Sequence, residues 1–239
     1  MPAGGHALLQ ERRPGVAIVC GWYAMIPVRG STTELLGFHA GPLPRYRGGA
    51  PVVWQIIEGE RTIGLTLFRL DARPDAGDIV AQSSVPLDPS EDVAVALDRL
   101  DDPAVRLLRT SLPGILGGTA RTFPQDHSRA TTYPQRSPDD GEVDLTRGAF
   151  RVHDFVRAQA APYPGALVRS VDRRILRLWM TEPMPDRDAA PGDVSLTADG
   201  PAIGCGRGSV RVVAASIDGE PERPLVDTLR GMRLRPSRE

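Results

Sequence analysis

The chain has 239 residues, 25% charged and 41% hydrophobic, with a formal net charge of −1, which fits one large or two small globular domains and no general affinity for polyanions. All 29 basic residues are arginine, so a P-loop lysine, a Schiff base to a carbonyl substrate and a lysine general base are all excluded. Two distant cysteines cannot build a zinc cluster, no run approaches the roughly 18 apolar residues of a membrane span, and MPAGGHALLQERRPG lacks a signal peptide's charged-then-apolar pattern; a cytoplasmic protein with no metal and no membrane partner is expected.

Residues 16–20, VAIVC, form a short apolar run between Pro14-Gly15 and Gly21 and predict a buried parallel strand, with Cys20 an inert core thiol. Residues 50–58 predict a helix with Pro51 in its first turn and Gly59 as its C-cap, which makes Trp54 a core residue at helical spacing. The alternating IGLTLFRL (63–70), the turn D-A-R-P-D-A-G and DIVAQSSV predict a β-hairpin. Apolar residues at three- and four-residue intervals over 90–116 predict one or two amphipathic helices interrupted near Pro103.

Residues 124–141 are polar and proline-rich, so they read as a linker between domains 1–123 and 142–239. Beyond it, 149–160 predicts a helix burying Phe150, Val152, Phe155 and Val156. The short strands ALVRSV, RILRLWM, GDVSL, AIGCG and SVRVVAASI then predict a small OB-like β-barrel. The expected fold is an α/β domain followed by a compact all-β domain.

The densest segment is GFHAGPLPRYRGGAPVVWQIIEGERTIGLTLFRLDARPDAGDIVAQ (37–82). His39, Leu43-Pro44, Arg47-Gly48, Ala50-Pro51, Gly59-Glu60, the strand IGLTL and Asp75-Ala76-Gly77 stand in the order and spacing of the formyltransferase family, which this chain resembles. That family includes methionyl-tRNA formyltransferase, sugar N-formyltransferases and the enzyme acting on UDP-4-amino-4-deoxyarabinose. The similarity continues past the linker through TTYPQRSPDDGEVDL and PYPGALV. It implies a Rossmann-like catalytic domain, a C-terminal barrel and 10-formyltetrahydrofolate as co-substrate. It also implies earlier strand-helix units ahead of residue 16, so the catalytic domain is expected to lack its first strands; a homodimer or a partner chain would then cover the 16–20 edge.

Formyl transfer to an amine needs proton removal and an oxyanion donor. The resemblance assigns the histidine and aspartate of that machinery to His39 and Asp75. The third member, an asparagine, corresponds to Gly37; the motif's serine is Gly41 and its first leucine Pro42. Gln55, an arginine or a bound water are left to replace the missing amide. Folate contacts map onto Ala24, Met25 and Ile26 and onto Asp71, Ala72, Arg73, Pro74 and Asp75, while Arg45 and Arg47 are candidates for a phosphate of the acceptor or the folate glutamate.

Over 141–239, 15 Arg face 14 Asp plus Glu, a net of +1 with no basic patch, and the early insertion of the tRNA enzymes is missing. A small amine such as a nucleotide-linked amino sugar is therefore favoured over nucleic acid. A catalytically degenerate binding or structural member and a methionyl-tRNA formyltransferase-like protein are the alternatives.

Overall fold

A strand buried along most of its length stands at the centre of the first sheet. In the computed structural model, which describes residue Leu9 and residues 11–21, 26–28, 30–221 and 224–237, β4 (Thr62–Arg69) is buried along almost its whole length, as a central strand must be. β5 (Ile79–Pro86) alternates between buried and exposed positions and pairs antiparallel with β4, completing the predicted hairpin. On the other side β2 (Glu34–His39) runs antiparallel to β4, with Gly37 opposite Phe68 and His39 opposite Thr66. β1 (Val16–Val19) joins β2 in parallel, so the order is β1-β2-β4-β5 with β1 at one end. Leu36, Leu67, Val80 and Ile115 form a core cluster here. A short parallel bridge pairs β3 (Arg47–Gly48) with β6 (Thr132–Tyr133), inside the polar stretch read as a linker.

Among the helices, α1 spans Pro51–Ile57, α2 Val93–Asp98 and α3 Asp101–Leu116. The break between α2 and α3 falls at residues 99–100, just ahead of Pro103, which lies in the first turn of α3. Proline in a first turn removes only an amide hydrogen that has no intrahelical partner, and Asp101 and Asp102 there complement the helix dipole.

Two compact units emerge, one of residues 1–55, 62–86 and 97–135, the other of 56–61, 87–96 and 136–239. The second contains an antiparallel sheet of β7 (Ala166–Arg169), β8 (Ile175–Met184), β11 (Ser209–Ile217), β10 (Gly200–Gly204) and β9 (Val194–Thr197), in that order. The outer strands β7 and β9 do not pair with each other. Instead the tail bridges from Leu234 to Ser170 and from Arg233 to Asp193, just beyond those strands.

Helix α4 (Ala149–Ala158) packs Val152 and Val156 into a core with Leu145, Leu176, Leu178, Ile203 and Val210. Phe155 is partly buried, but Phe150 is 52% exposed, contrary to the sequence expectation. Two residues is about 200° of helix rotation, which carries Phe150 away from the Val152–Val156 stripe. The helix also holds residues 87–96 within this unit: His153 Nε2 lies 2.8 Å from the Pro89 carbonyl, and Arg157 donates to the Glu91 carbonyl at 2.8 Å while pairing with Asp154. The short α5 spans Leu225–Leu229.

Cys20 is exposed, one residue past β1, and so is not a core thiol. Cys205 is the buried cysteine, and desolvation pushes its thiol up to about 12. Among the described residues no helix is long and apolar enough to cross a membrane.

Candidate active site

His39 ends β2 and is only 7% exposed. Thr66, its neighbour across the sheet, donates to the Gly41 carbonyl at 2.7 Å and accepts from the Leu43 amide, pinning the loop that follows. That loop reverses through the cis Leu43–Pro44 peptide and a left-handed Tyr46, bringing the Tyr46 carbonyl to 2.6 Å from His39 Nε2. A carbonyl only accepts, so Nε2 carries the hydrogen and Nδ1 keeps the lone pair of the neutral ring. Nδ1 faces Asp75 Oδ1 at 3.7 Å, too long for a hydrogen bond.

Asp75 is held from three directions. Its backbone is left-handed (φ 51°), its Oδ2 accepts from the Gly48 amide at 2.8 Å, and Gln125 donates to the carbonyls of Asp75 and Gly77 at 2.9 and 2.7 Å. Two glycines allow this approach. A Cβ at Gly77 would lie 1.8 Å from the Arg69 carbonyl oxygen, and one at Gly48 (φ 94°) would lie 2.1 Å from that of Tyr133. The Arg-Gly and Asp-x-Gly pieces of the motif are thus steric requirements of the site.

Position 37, where the family has asparagine, carries no side-chain amide. An added Cβ there meets Leu70 at 2.9 Å and Phe68 at 3.1 Å, so those side chains fill the adjacent space. Gln55 cannot serve either. It is fully buried, donates to the carbonyls of Ala40 and Pro51 and accepts from the Gly64 amide, which spends both amide hydrogens on the scaffold.

Of the candidate binding residues, Arg45 is exposed, with its guanidinium 5.0 Å from the Tyr46 ring centroid. Arg47 turns toward Asp75's support, donating to Gln125 Oε1 and lying 2.8 Å from His127 Nδ1. Desolvation and the nearby Arg73 lower the Arg47 guanidinium from its ordinary value, partly opposed by Asp75. Ala72, Arg73 and Pro74 are exposed on the hairpin turn, and Asp71 accepts from the Ala72 amide at 2.6 Å. Ile26 is half-buried, whereas Ala24 and Met25 lie outside the described residues.

Sequence reasoning missed the contribution of residues 125–135. Gln125 and His127 enter the site from there, and Tyr133 stacks on Tyr46 (5.2 Å between centroids, 12°) and against Trp54, whose Nε1 donates to the Pro134 carbonyl. Trp54 is therefore a half-buried member of an aromatic stack and not a core residue. The proline-rich composition that reads as a linker hides this, and only Gln125, His127 and Tyr133 within it were available as a signal. Among the described residues no group of three or more His, Cys, Asp or Glu is arranged to hold a metal ion.

His39 and Asp75 thus stand together at the end of a mixed-sheet strand, bordered by an exposed hairpin turn and by arginines, on an α/β fold. Residues 4–112 match the formyl transferase family and residues 136–233 the formyl transferase C-terminal domain. The chain belongs to the formyltransferase family. It is 33% identical over 202 residues to the methionyl-tRNA formyltransferase of Geobacter sulfurreducens, a match covering 84% of this chain but 63% of that protein. Among solved structures, HypX from Aquifex aeolicus in complex with tetrahydrofolic acid superposes with a TM-score of 0.69 at 22% identity, over 90% of this chain and 38% of HypX. The N-formyltransferase from Helicobacter canadensis in complex with folinic acid and dTDP-3-aminofucose gives 0.68 at 15% identity, over 82% and 72%. These likenesses to solved structures establish the shared fold.

Proposed function

We propose that this chain carries the site of an N-formyltransferase that moves a formyl group from 10-formyltetrahydrofolate to a primary amine on a small molecule such as a nucleotide-linked amino sugar. The observation that carries the proposal is the His39–Asp75 pair, with Nε2 committed to the Tyr46 carbonyl and Nδ1 directed at Asp75 Oδ1 at 3.7 Å. The bound formyl donor supplies the electrophilic carbon. His39 Nδ1 takes the proton released as the amine nitrogen bonds to that carbon, and Asp75, held by the Gly48 amide, stabilises the imidazolium. The same proton is then available to the folate nitrogen as its bond to carbon breaks. The exposed turn Asp71–Asp75, together with Ala24, Met25 and Ile26, is assigned to the folate, and Arg45 and Arg47 to acceptor or folate anions.

The preference for a small acceptor rests on the near-neutral charge of residues 141–239, 15 Arg against 14 acidic residues. The complex of the Helicobacter relative with dTDP-3-aminofucose supports it. The identity to a methionyl-tRNA formyltransferase keeps a tRNA acceptor as an arm of the test. A second reading, a folate- or amine-binding member without turnover, is favoured by the crowded Gly37, because loss of one oxyanion donor costs on the order of 10²–10³ in rate. β1 ends the sheet among the described residues, and pairing of that edge with a second copy or a partner chain is carried as part of the proposal; a monomer in sedimentation at micromolar concentration counts against it.

The test is formyl transfer from 10-formyltetrahydrofolate to dTDP- or UDP-linked amino sugars and, in parallel, to methionyl-tRNA. Activity on an amino sugar that falls on the order of 10²–10⁴-fold in His39→Ala and Asp75→Asn supports the proposal. Folate binding with no transfer to either acceptor moves the assignment to the second reading.

A further inference from the structure

His127 stands on a 3₁₀ turn, residues 127–129, in the same unit as His39 and Asp75. Its two ring nitrogens face two different arginines: Nδ1 lies 2.8 Å from Arg47 Nη2, and Nε2 lies 3.3 Å from Arg73 Nη2. A guanidinium nitrogen only donates, and a neutral imidazole has one lone pair. One contact can therefore be a hydrogen bond. The other sets a donor against a donor, and protonating the ring would set both so.

The surrounding carboxylates do not resolve the conflict. Asp75 Oδ2 is occupied by the Gly48 amide, and Asp126 accepts from the Ser128 amide and hydroxyl, capping the turn. Asp71 Oδ2 lies 3.6 Å from Arg73 Nη2, beyond hydrogen-bond length. Gln125 Oε1 engages Arg47 but offers nothing to Arg73 or His127. Two guanidinium groups and an imidazole thus converge with too few acceptors among them, and Arg73 and His127 are open to solvent.

We propose that Arg47, Arg73 and His127 form a binding subsite for an oxyanion with at least two oxygens, a phosphate or a carboxylate, at the border of the His39–Asp75 site. Such a group replaces solvent as the acceptor and takes hydrogen bonds from all three side chains, charge-assisted ones from the two guanidinium groups. Arg47 precedes Gly48, whose amide donates to Asp75 Oδ2, so one arm of the subsite lies on the segment that holds the pair. The existence of the subsite stands on this geometry alone. Its ligand rests on the function proposed above, under which the oxyanion is either the diphosphate of a nucleotide-linked acceptor or the glutamyl carboxylates of the folate.

Calorimetric titration of the full chain with inorganic pyrophosphate at low salt tests the subsite. Arg73→Ser and His127→Ala, both exposed positions, are each expected to weaken pyrophosphate binding at least 10-fold. Unchanged affinity in both variants, or no binding to the wild-type chain at millimolar pyrophosphate, overturns the subsite. dTDP and folinic acid identify the source: loss of dTDP binding alone in the variants assigns the acceptor diphosphate, and loss of folinic acid binding alone assigns the glutamyl carboxylates. Pyrophosphate binding that behaves as expected in a chain without formyl transfer leaves the subsite standing and removes the proposed activity. His39-dependent transfer with variant-insensitive anion binding does the reverse.

Discussion

The C-terminal sheet unit and the surroundings of His39 and Asp75 are held together by different physics. In the former, α4 lays Val152 and Val156 on Leu176, Leu178, Ile203 and Val210, and the cost of a change there follows the apolar volume removed. Around the pair, geometry depends on glycines at which a Cβ would fall within 2.1 Å of a backbone carbonyl oxygen, and on amides such as Gln55 and Gln125 whose hydrogens are all assigned. The first region tolerates shape change by relaxing. The second has lone pairs and backbone oxygens at fixed places, so a single carbon is enough to disturb it.

The largest effect on stability is expected in the sheet unit. Leu178→Ala removes a fully buried side chain and should cost about 2–5 kcal/mol in denaturant unfolding, while leaving His39-dependent chemistry unchanged in whatever fraction remains folded. If that variant instead altered the reaction at full folding, the separation of the two regions would fail.

Gly48→Ala should do the opposite. Its cost of about 1–3 kcal/mol comes from the left-handed backbone and the Tyr133 carbonyl, and it should release Asp75. Urea unfolding paired with a binding or transfer assay would then show a functional loss larger than Leu178→Ala produces.

Gly37→Asn sharpens the same contrast. Restoring the family asparagine is expected to destabilise by about 1–3 kcal/mol through overpacking against Leu70 and Phe68. Adding Leu70→Ala should recover part of that loss, and only the double variant should gain formyl-transfer rate. A gain in the single variant with no loss of stability would show that the space is not filled.

The smallest effect separates the cysteines. Iodoacetamide at pH 8 should modify the exposed Cys20 in the native chain and Cys205 only after unfolding, with mass spectrometry counting the additions. Because burial raises the Cys205 thiol from 9.0 to about 12, its contribution to stability is complete below pH 9. That contribution is lost as pH rises from there through 12, when the unfolded chain ionises first. Cys205→Ala should flatten that part of the stability curve.

How far these regions could be read in advance follows from the kind of interaction in each. Periodicity located α4 and its Val152–Val156 stripe, and it overreached only at Phe150, where a helix boundary was right and the rotation was not. It located the β4–β5 hairpin equally well. The motif residues His39, Arg47-Gly48 and Asp75-Ala76-Gly77 were visible as a pattern. Their supports were not: Gln125 and His127 lie 48 or more residues from the groups they meet, in a stretch whose proline content masks its pairing with β3. Cys20 was misplaced for a related reason, since an apolar run does not say on which residue a strand ends.

The sequence alone determined the family, the strand and helix order and the missing amide at position 37, because these depend on local pattern and on residue identity. Tertiary structure decided which His39 nitrogen faces Asp75, that Gln55 is committed to the scaffold, that Leu70 and Phe68 fill the space beside Gly37, and that His127 stands between two arginines. Each of those is a matter of which lone pair or which carbon occupies a particular point, and a linear chain does not state where its distant segments meet.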